Sequence, residues 1–137
     1  VVMGDTGFHI EGVEVESLPW KESYEVEVIS RFDVGLYPLP DEKWVYGKSG
    51  LKALQYMALG IPTVATALGT IFRIIKDGEN GFLVQSKEEW KKRLIELISD
   101  QQLRERVGKK AAATVEEHYS VNANKSNYLS ILNNLTA

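Results

Sequence analysis

The 137 residues include no cysteine and carry a formal net charge of −3, so the chain needs no disulfide framework, and a reducing, cytoplasmic setting is expected. Its length suits one domain whose core buries roughly two-thirds of the unfolded surface. The acidic balance without basic-aromatic interleaving excludes nucleic acid as the main partner, and no apolar run reaches the roughly 18 residues that a membrane span needs. The charge is uneven, however. Residues 1–46 hold 3 basic and 10 acidic side chains, against 13 and 9 in residues 48–137, so the second part is the better neighbour for a phosphate-bearing ligand.

In chain order, Val1-Val2-Met3-Gly4-Asp5 reads as a strand leading into a turn. The sequence has no initiator methionine, so its left edge is expected to continue from a longer protein. Val13 to Leu18 alternates apolar with polar as a half-exposed strand does, and Pro19 ends it. Glu22 to Arg31 fits a short helix with Val26 and Ile29 inward. Val34 to Tyr37 is a near-continuous apolar strand stopped by Pro38 and Pro40.

The loop after that strand empties into Gly47-Lys48-Ser49-Gly50, which is expected to open a helix at about Lys48. That helix stops at Gly60, and Pro62 leads into the strand Thr63-Val64-Ala65. At 100° per residue, Leu51, Leu54, Met57 and Ala58 share one side, while Lys48, Lys52 and Gln55 share the other. Small residues leave the first backbone N–H groups unshielded at the positive end of the helix dipole, where a phosphate is favoured, and Lys48 adds a charge. Gly-Lys-Ser also ends the P-loop pattern, but that pattern needs a glycine where Glu42 stands. An ATPase is therefore not expected. A plain helix-start loop with an exposed lysine is the competing reading.

Beyond Gly69-Thr70, a helical stretch from Ile71 to Lys76 precedes the turn Asp77 to Gly81 and the strand Phe82-Leu83-Val84. Alternating helices and wholly apolar strands imply an α/β domain with a mostly parallel sheet covered on both faces. Ligands of such sheets collect at the carboxyl ends of the strands. Ser86 and Glu89 are spaced as a capping box for a helix that buries Trp90, Leu94, Leu97 and Ile98. Asp100 caps a second helix, with Leu103, Val107 and Ala111 inward, and Ser120 starts a third, buried through Tyr128, Ile131, Leu132 and Leu135.

Isolated His9 and His118, and the adjacent Asp41 and Glu42, lack ligand-spaced partners, so neither catalytic histidine nor metal is expected. The basic run Lys91-Lys92-Arg93 reads as a solvated helix face. Asn124-Lys125-Ser126 and Asn134-Leu135-Thr136 match glycosylation acceptors, which carry little weight without a secretion signal.

Three segments together resemble the group 1 (family 4) glycosyltransferases: Phe32 to Leu39, Gly47 to Thr66, and Asp77 to Val84. The similarity continues through Glu89-Trp90 and Leu103-Arg104 to Tyr119-Ser120. It implies the C-terminal, donor-binding, Rossmann-like half of a two-domain GT-B enzyme: an open parallel sheet with helices on both faces, followed by C-terminal helices. Such enzymes move a sugar from a UDP-, GDP- or ADP-sugar to an acceptor, usually with retention and without metal or other cofactor. The resemblance places Gly47, Lys48, Ser49, Gly50 and Leu51 at the donor diphosphate and Gln55 at its ribose. It also implies base contacts around Leu18-Pro19-Trp20, an acceptor site in an N-terminal domain, and peripheral association of the full-length enzyme with the inner face of a membrane.

The chain departs from the family pattern where a glutamate pair is common, carrying Gly47 and Gln55, and Arg73 stands at a third common acidic position. A weakened nucleotide-sugar-binding module and a sugar-nucleotide epimerase of the same fold are the alternatives, and the 137 residues alone are expected to transfer nothing.

Overall fold

The computed structural model describes residues 1–135, which divide into two compact units, residues 1–32 and the remainder from Asp33. In the first unit, β1 (Val2–Met3) pairs in parallel with β2 (Ser17–Leu18), Val2 opposite Ser17 and Met3 opposite Leu18. A 3-10 turn at Glu22–Tyr24 runs into α1 (Glu25–Ile29). The Tyr24 hydroxyl donates to the Pro19 carbonyl, and Arg31 pairs with Glu16 at 2.7 Å. Regular structure here is shorter than the alternation from Val13 and the periodicity from Glu22 suggest. With only five residues in α1, Val28 and Ile29 are buried, whereas Val26, expected inward, is 65% exposed.

The second unit is built on a parallel sheet in the order β3 (Gly35–Tyr37), β4 (Thr63–Thr66), β5 (Phe82–Val84). Gly35 lies opposite Thr63, and Val64 opposite Phe82. Successive strand residues face opposite sides, so the sheet feeds two cores. Ala65 joins Ala53, Met57, Ile71, Ile74, Ile75 and Ala111 on one side. Val64, Phe82 and Val84 join Leu97 and Val107 on the other, with Trp90, Leu94 and Leu103 packed against them. This is the α/β parallel architecture that the alternation of apolar strands and helices implies.

Between β3 and β4 runs α2 (Leu51–Ala58), which begins three residues later than expected. Val45 is buried and anchors a 3-10 turn at Lys43–Gly47, and Lys48 then turns extended at φ −72°, ψ 137°. The covered face is also narrower than expected, although Leu54 packs on the core with Met57. Ala53 and Met57 are covered, whereas Leu51, expected against the sheet, is 60% exposed, and Ala58 is exposed as well. The helix ends in a Schellman turn: Ile61 N–H donates to the Tyr56 carbonyl and Gly60 N–H to that of Met57, both at 3.0 Å. Gly60, at φ 70°, supplies the left-handed residue this turn requires.

The turn after α3 (Ile71–Ile74) is held from inside. Asn80 is buried; its Oδ1 accepts the Lys76 N–H at 2.7 Å, and its Nδ2 donates to the Ile74 carbonyl and to Thr114 Oγ1. The sequence reads Asn80 only as part of a turn; its burial has no local signal, because its partner Thr114 is 34 positions away.

Ser86 and Glu89 close the expected capping box on α4 (Lys87–Ser99). Glu89 Oε2 accepts the N–H groups of Gln85 and Ser86, which hold its carboxyl below the usual carboxylate range. Replacing Ser86 with alanine is expected to cost about 1 kcal/mol, read as a lower urea midpoint at unchanged slope. Asp100 Oδ1 accepts the Leu103 N–H and caps α5 (Gln101–His118), whose Leu103, Val107 and Ala111 face inward as expected. Ile98, expected in the buried stripe of α4, is 74% exposed: a packing face through Trp90, Leu94 and Leu97 leaves it on the flank.

The largest correction falls on α6 (Val121–Leu135). Tyr128, Ile131, Leu132 and Leu135, expected buried, are all exposed: α6 packs on α5 in this unit without burying any of its own residues. Asn124 turns its Nδ2 to the carbonyls of His118 and Ser120, so the first glycosylation match has its amide engaged. Thr136 of the second match lies outside the described residues.

Candidate functional site

The carboxyl ends of β3, β4 and β5 open on a crevice of roughly 450 Å3 lined by Asp41, Tyr46, Thr66 to Gly69, Phe72 and Gln85. Its floor is set by the strand ends: Thr66 Oγ1 accepts the Leu39 N–H at 2.8 Å, and Ala67 N–H donates to the Val84 carbonyl at 2.9 Å. Its wall is the 3-10 turn. There the Tyr46 hydroxyl donates to Asp41 Oδ1 at 3.0 Å, and this bond to a carboxylate holds the phenol above its ordinary pKa. A neutral donor at all physiological pH follows.

The predicted diphosphate loop lies directly behind that wall. Thr70 donates its hydroxyl to the Lys48 carbonyl, and a Cβ on Gly69 would stand 3.3 Å from Tyr46 Cα, so the loops around residues 46–50 and 67–70 are in contact. Gly50 is the N-cap of α2 at φ 77°, with no side chain capping the helix. The first i→i−4 bond runs from Leu54 N–H to the Gly50 carbonyl, which leaves the amides at Leu51 and Ala53 ahead of the ladder. Gly50 itself is buried beneath Ile71 and Ile74. Gly47, Lys48, Ser49 and Leu51 are exposed.

Lys48 rests its ammonium on a neighbouring ring. Its Nζ lies 4.8 Å from the centre of the Trp44 ring, a cation–π contact, while the Trp44 indole N–H donates to Glu42. Gln55 is half-buried on α2, and its Oε1 is shielded from water with no donor among the described residues. None of the six predicted donor-site residues lines the crevice, although Tyr46 and Gly69, their neighbours along the chain and in space, do. Leu18, Pro19 and Trp20 belong to the first unit. His118 and His9 are exposed, and among the described residues no cluster of three or more His, Cys, Asp or Glu side chains could hold a metal ion.

Asp41, Tyr46, Phe72 and Gln85 were not singled out as a set from sequence. They come from three separate segments, one after each strand, and the one available signal is that each follows the carboxyl end of an apolar strand by a short interval.

Residues 27–114, well over half the chain, match the family of glycosyl transferases, group 1. The chain belongs to that family. This glycosyltransferase domain is 33% identical over 86 residues to trehalose synthase of Pyrococcus horikoshii, covering 63% of the chain and 21% of that protein. Over 69 residues it is 42% identical to D-inositol 3-phosphate glycosyltransferase of Paenarthrobacter aurescens, covering 49% and 17%. It thus spans about a fifth of the length of these relatives. Among solved structures it resembles the C-terminal domain of a group 1 glycosyl transferase from Francisella tularensis, with a TM-score of 0.62 at 29% identity over 77% of the chain and 54% of that one. Anabaena HepE in complex with UDP-glucose shares the fold at a TM-score of 0.68 and 18% identity, over 87% of the chain and 32% of its own. The domain contains no helix, among the described residues, long and apolar enough to cross a membrane.

Proposed function

We propose that the domain holds the donor of a sugar transfer: a nucleotide diphosphate sugar whose diphosphate meets Gly47, Lys48, Ser49, Gly50 and Leu51 and whose ribose meets Gln55. The observation that carries this is the bare start of α2, a left-handed glycine cap without a side-chain acceptor, next to a crevice at the carboxyl ends of three parallel strands. Departure of the nucleotide diphosphate builds negative charge as the glycosidic bond breaks. Preorganised N–H groups and an ammonium stabilise that charge more in the transition state than in the bound donor. No metal is needed for this chemistry.

Lys48 supplies its ammonium by swinging from Trp44, a contact whose loss costs about 0.5–1 kcal/mol at an exposed site. Gln55 contributes by turning its carboxamide outward, because a shielded acceptor without a donor costs about 1–3 kcal/mol and a ribose hydroxyl relieves it. Transfer goes to an acceptor held by a separate N-terminal domain, with retention at the anomeric carbon, and the 137 residues alone bind donor without turnover. UDP-glucose, with which HepE was crystallised, is the donor to try first.

Replacing Lys48 with alanine is expected to weaken UDP binding about tenfold, the worth of one charge-assisted hydrogen bond at about 1.5 kcal/mol. Calorimetric titration of both forms tests it; equal affinities would remove the helix-start loop from the site. One observation favours a binding module with weakened catalysis, namely that Gly47 offers no carboxylate to the transferred sugar. Nucleotide release by the full-length protein decides between the two.

A further inference from the structure

The ring under the Lys48 ammonium is itself an uncommon group to leave in water. Within the 3-10 turn Lys43–Gly47, Val45 takes the buried place and Trp44 beside it is 58% exposed, whereas an indole ordinarily goes inside with its N–H satisfied there. Here the N–H is satisfied outside, by donating to Glu42 Oε2. That bond fixes the ring, and a carboxylate accepting from the indole raises the electron density that a cation meets on its face. Lys48 Nζ stands 4.8 Å from the ring centre.

The backbone of Lys48 is tied on both sides. Its N–H donates to the Val45 carbonyl at 3.0 Å, and its carbonyl accepts from Thr70 Oγ1. Only the side chain is left to move, by rotamer changes that need no opening of the loop. Ring and phosphate thus compete for the same ammonium. Whatever the ring contact contributes to the empty domain is subtracted from the affinity of a ligand that takes Lys48 away. For an exposed cation–π pair that is a factor of about two to five. A ligand without phosphate leaves Lys48 in place and loses nothing.

We propose that Trp44 is a positioning residue that docks Lys48 in the empty domain and so loosens the grip on a nucleotide diphosphate, for the arriving donor and for the nucleotide left after transfer. This role rests on the reading of Lys48 as a ligand of the diphosphate.

The test is calorimetric titration of UDP and uridine into the parent, Trp44→Ala, Trp44→Phe, Lys48→Ala and the Trp44→Ala/Lys48→Ala double variant, with the proton shift of the Lys48 ε-methylene as a measure of docking that needs no ligand. In the empty parent the ring is expected to move that methylene upfield; UDP returns it to its ordinary position and uridine does not. Trp44→Ala should bind UDP about two- to fivefold tighter, Trp44→Phe, which keeps a poorer face, should fall between, and uridine should not distinguish them. In the Lys48→Ala background, loss of Trp44 should change nothing. Trp44→Ala that binds UDP no tighter than the parent overturns the proposal, as does a methylene at its ordinary position in the empty parent. A gain that persists without Lys48 overturns it too, because the ring would then act by shaping the loop. Lys48→Ala that binds UDP as well as the parent overturns instead the reading of Lys48 as a phosphate ligand, and the methylene still reports whether the ring holds it.

Discussion

Gly108→Ala is expected to lower the unfolding free energy of the domain by about 2 kcal/mol, although the same change in a free helix would raise it. Alanine is favoured over glycine in a helix interior by about 1 kcal/mol, and Gly108 lies in the middle of α5. Against that stands the neighbour. A Cβ at Gly108 would sit 1.9 Å from the Gly60 carbonyl oxygen and 2.9 Å from its carbon. Both atoms are backbone, and Gly60 is fixed in the Schellman turn, so no side-chain rotation relieves the clash. Only separation of α5 from α2 does, and that opens the core shared by Ala53, Met57 and Ala111. Overpacking of this kind costs about 1–3 kcal/mol and more when backbone must move, which outweighs the helical gain. Urea unfolding reads the difference, with exposed Lys109→Ala as the control expected within about 0.5 kcal/mol of the parent. A Gly108→Ala protein as stable as the parent would show that the two helices do not meet here.

Whatever was legible in the sequence had a local cause. The end of α2 could be read from Gly60 and Pro62, the start of α4 from Ser86 and Glu89, and the cap of α5 from Asp100, because each signal and its partner lie within a few residues. The parallel sheet followed from strands too apolar to have a wet side. What failed depended on distant neighbours. Helical periodicity gave α6 an apolar stripe, but periodicity does not say whether anything covers it, and Tyr128, Ile131, Leu132 and Leu135 are exposed. The start of α2 slipped from Lys48 to Leu51 because buried Val45 commits the preceding residues to a 3-10 turn. The proposed donor loop from Gly47 to Leu51 has a local signature, whereas the crevice residues Asp41, Phe72 and Gln85 meet only once β3, β4 and β5 are side by side.

Of the two glycines of that loop, three positions apart, only Gly50 should respond to alanine. Gly50 has φ 77°, where a side chain costs about 1–2 kcal/mol. Its Cβ would also stand 2.5 Å from Ile74 Cδ1 and 3.2 Å from Ile71 Cδ1. Those methyls are the ends of flexible side chains, but Ile71 and Ile74 are 1% and 4% exposed and have little room to retreat. Gly50→Ala is accordingly expected to cost about 2–3 kcal/mol of stability and, by turning the first amides of α2, to weaken UDP at least tenfold below the melting transition. Gly47 has no positive φ, and a Cβ there meets nothing within 4 Å. Its alanine variant should match the parent in both measurements. Chemical denaturation and UDP titration on the pair separate a loop shaped by Gly50 from one that is small merely by composition. Equal UDP affinity in the parent and Gly50→Ala would mean that the start of α2 contributes nothing to nucleotide binding, however well the fold survives.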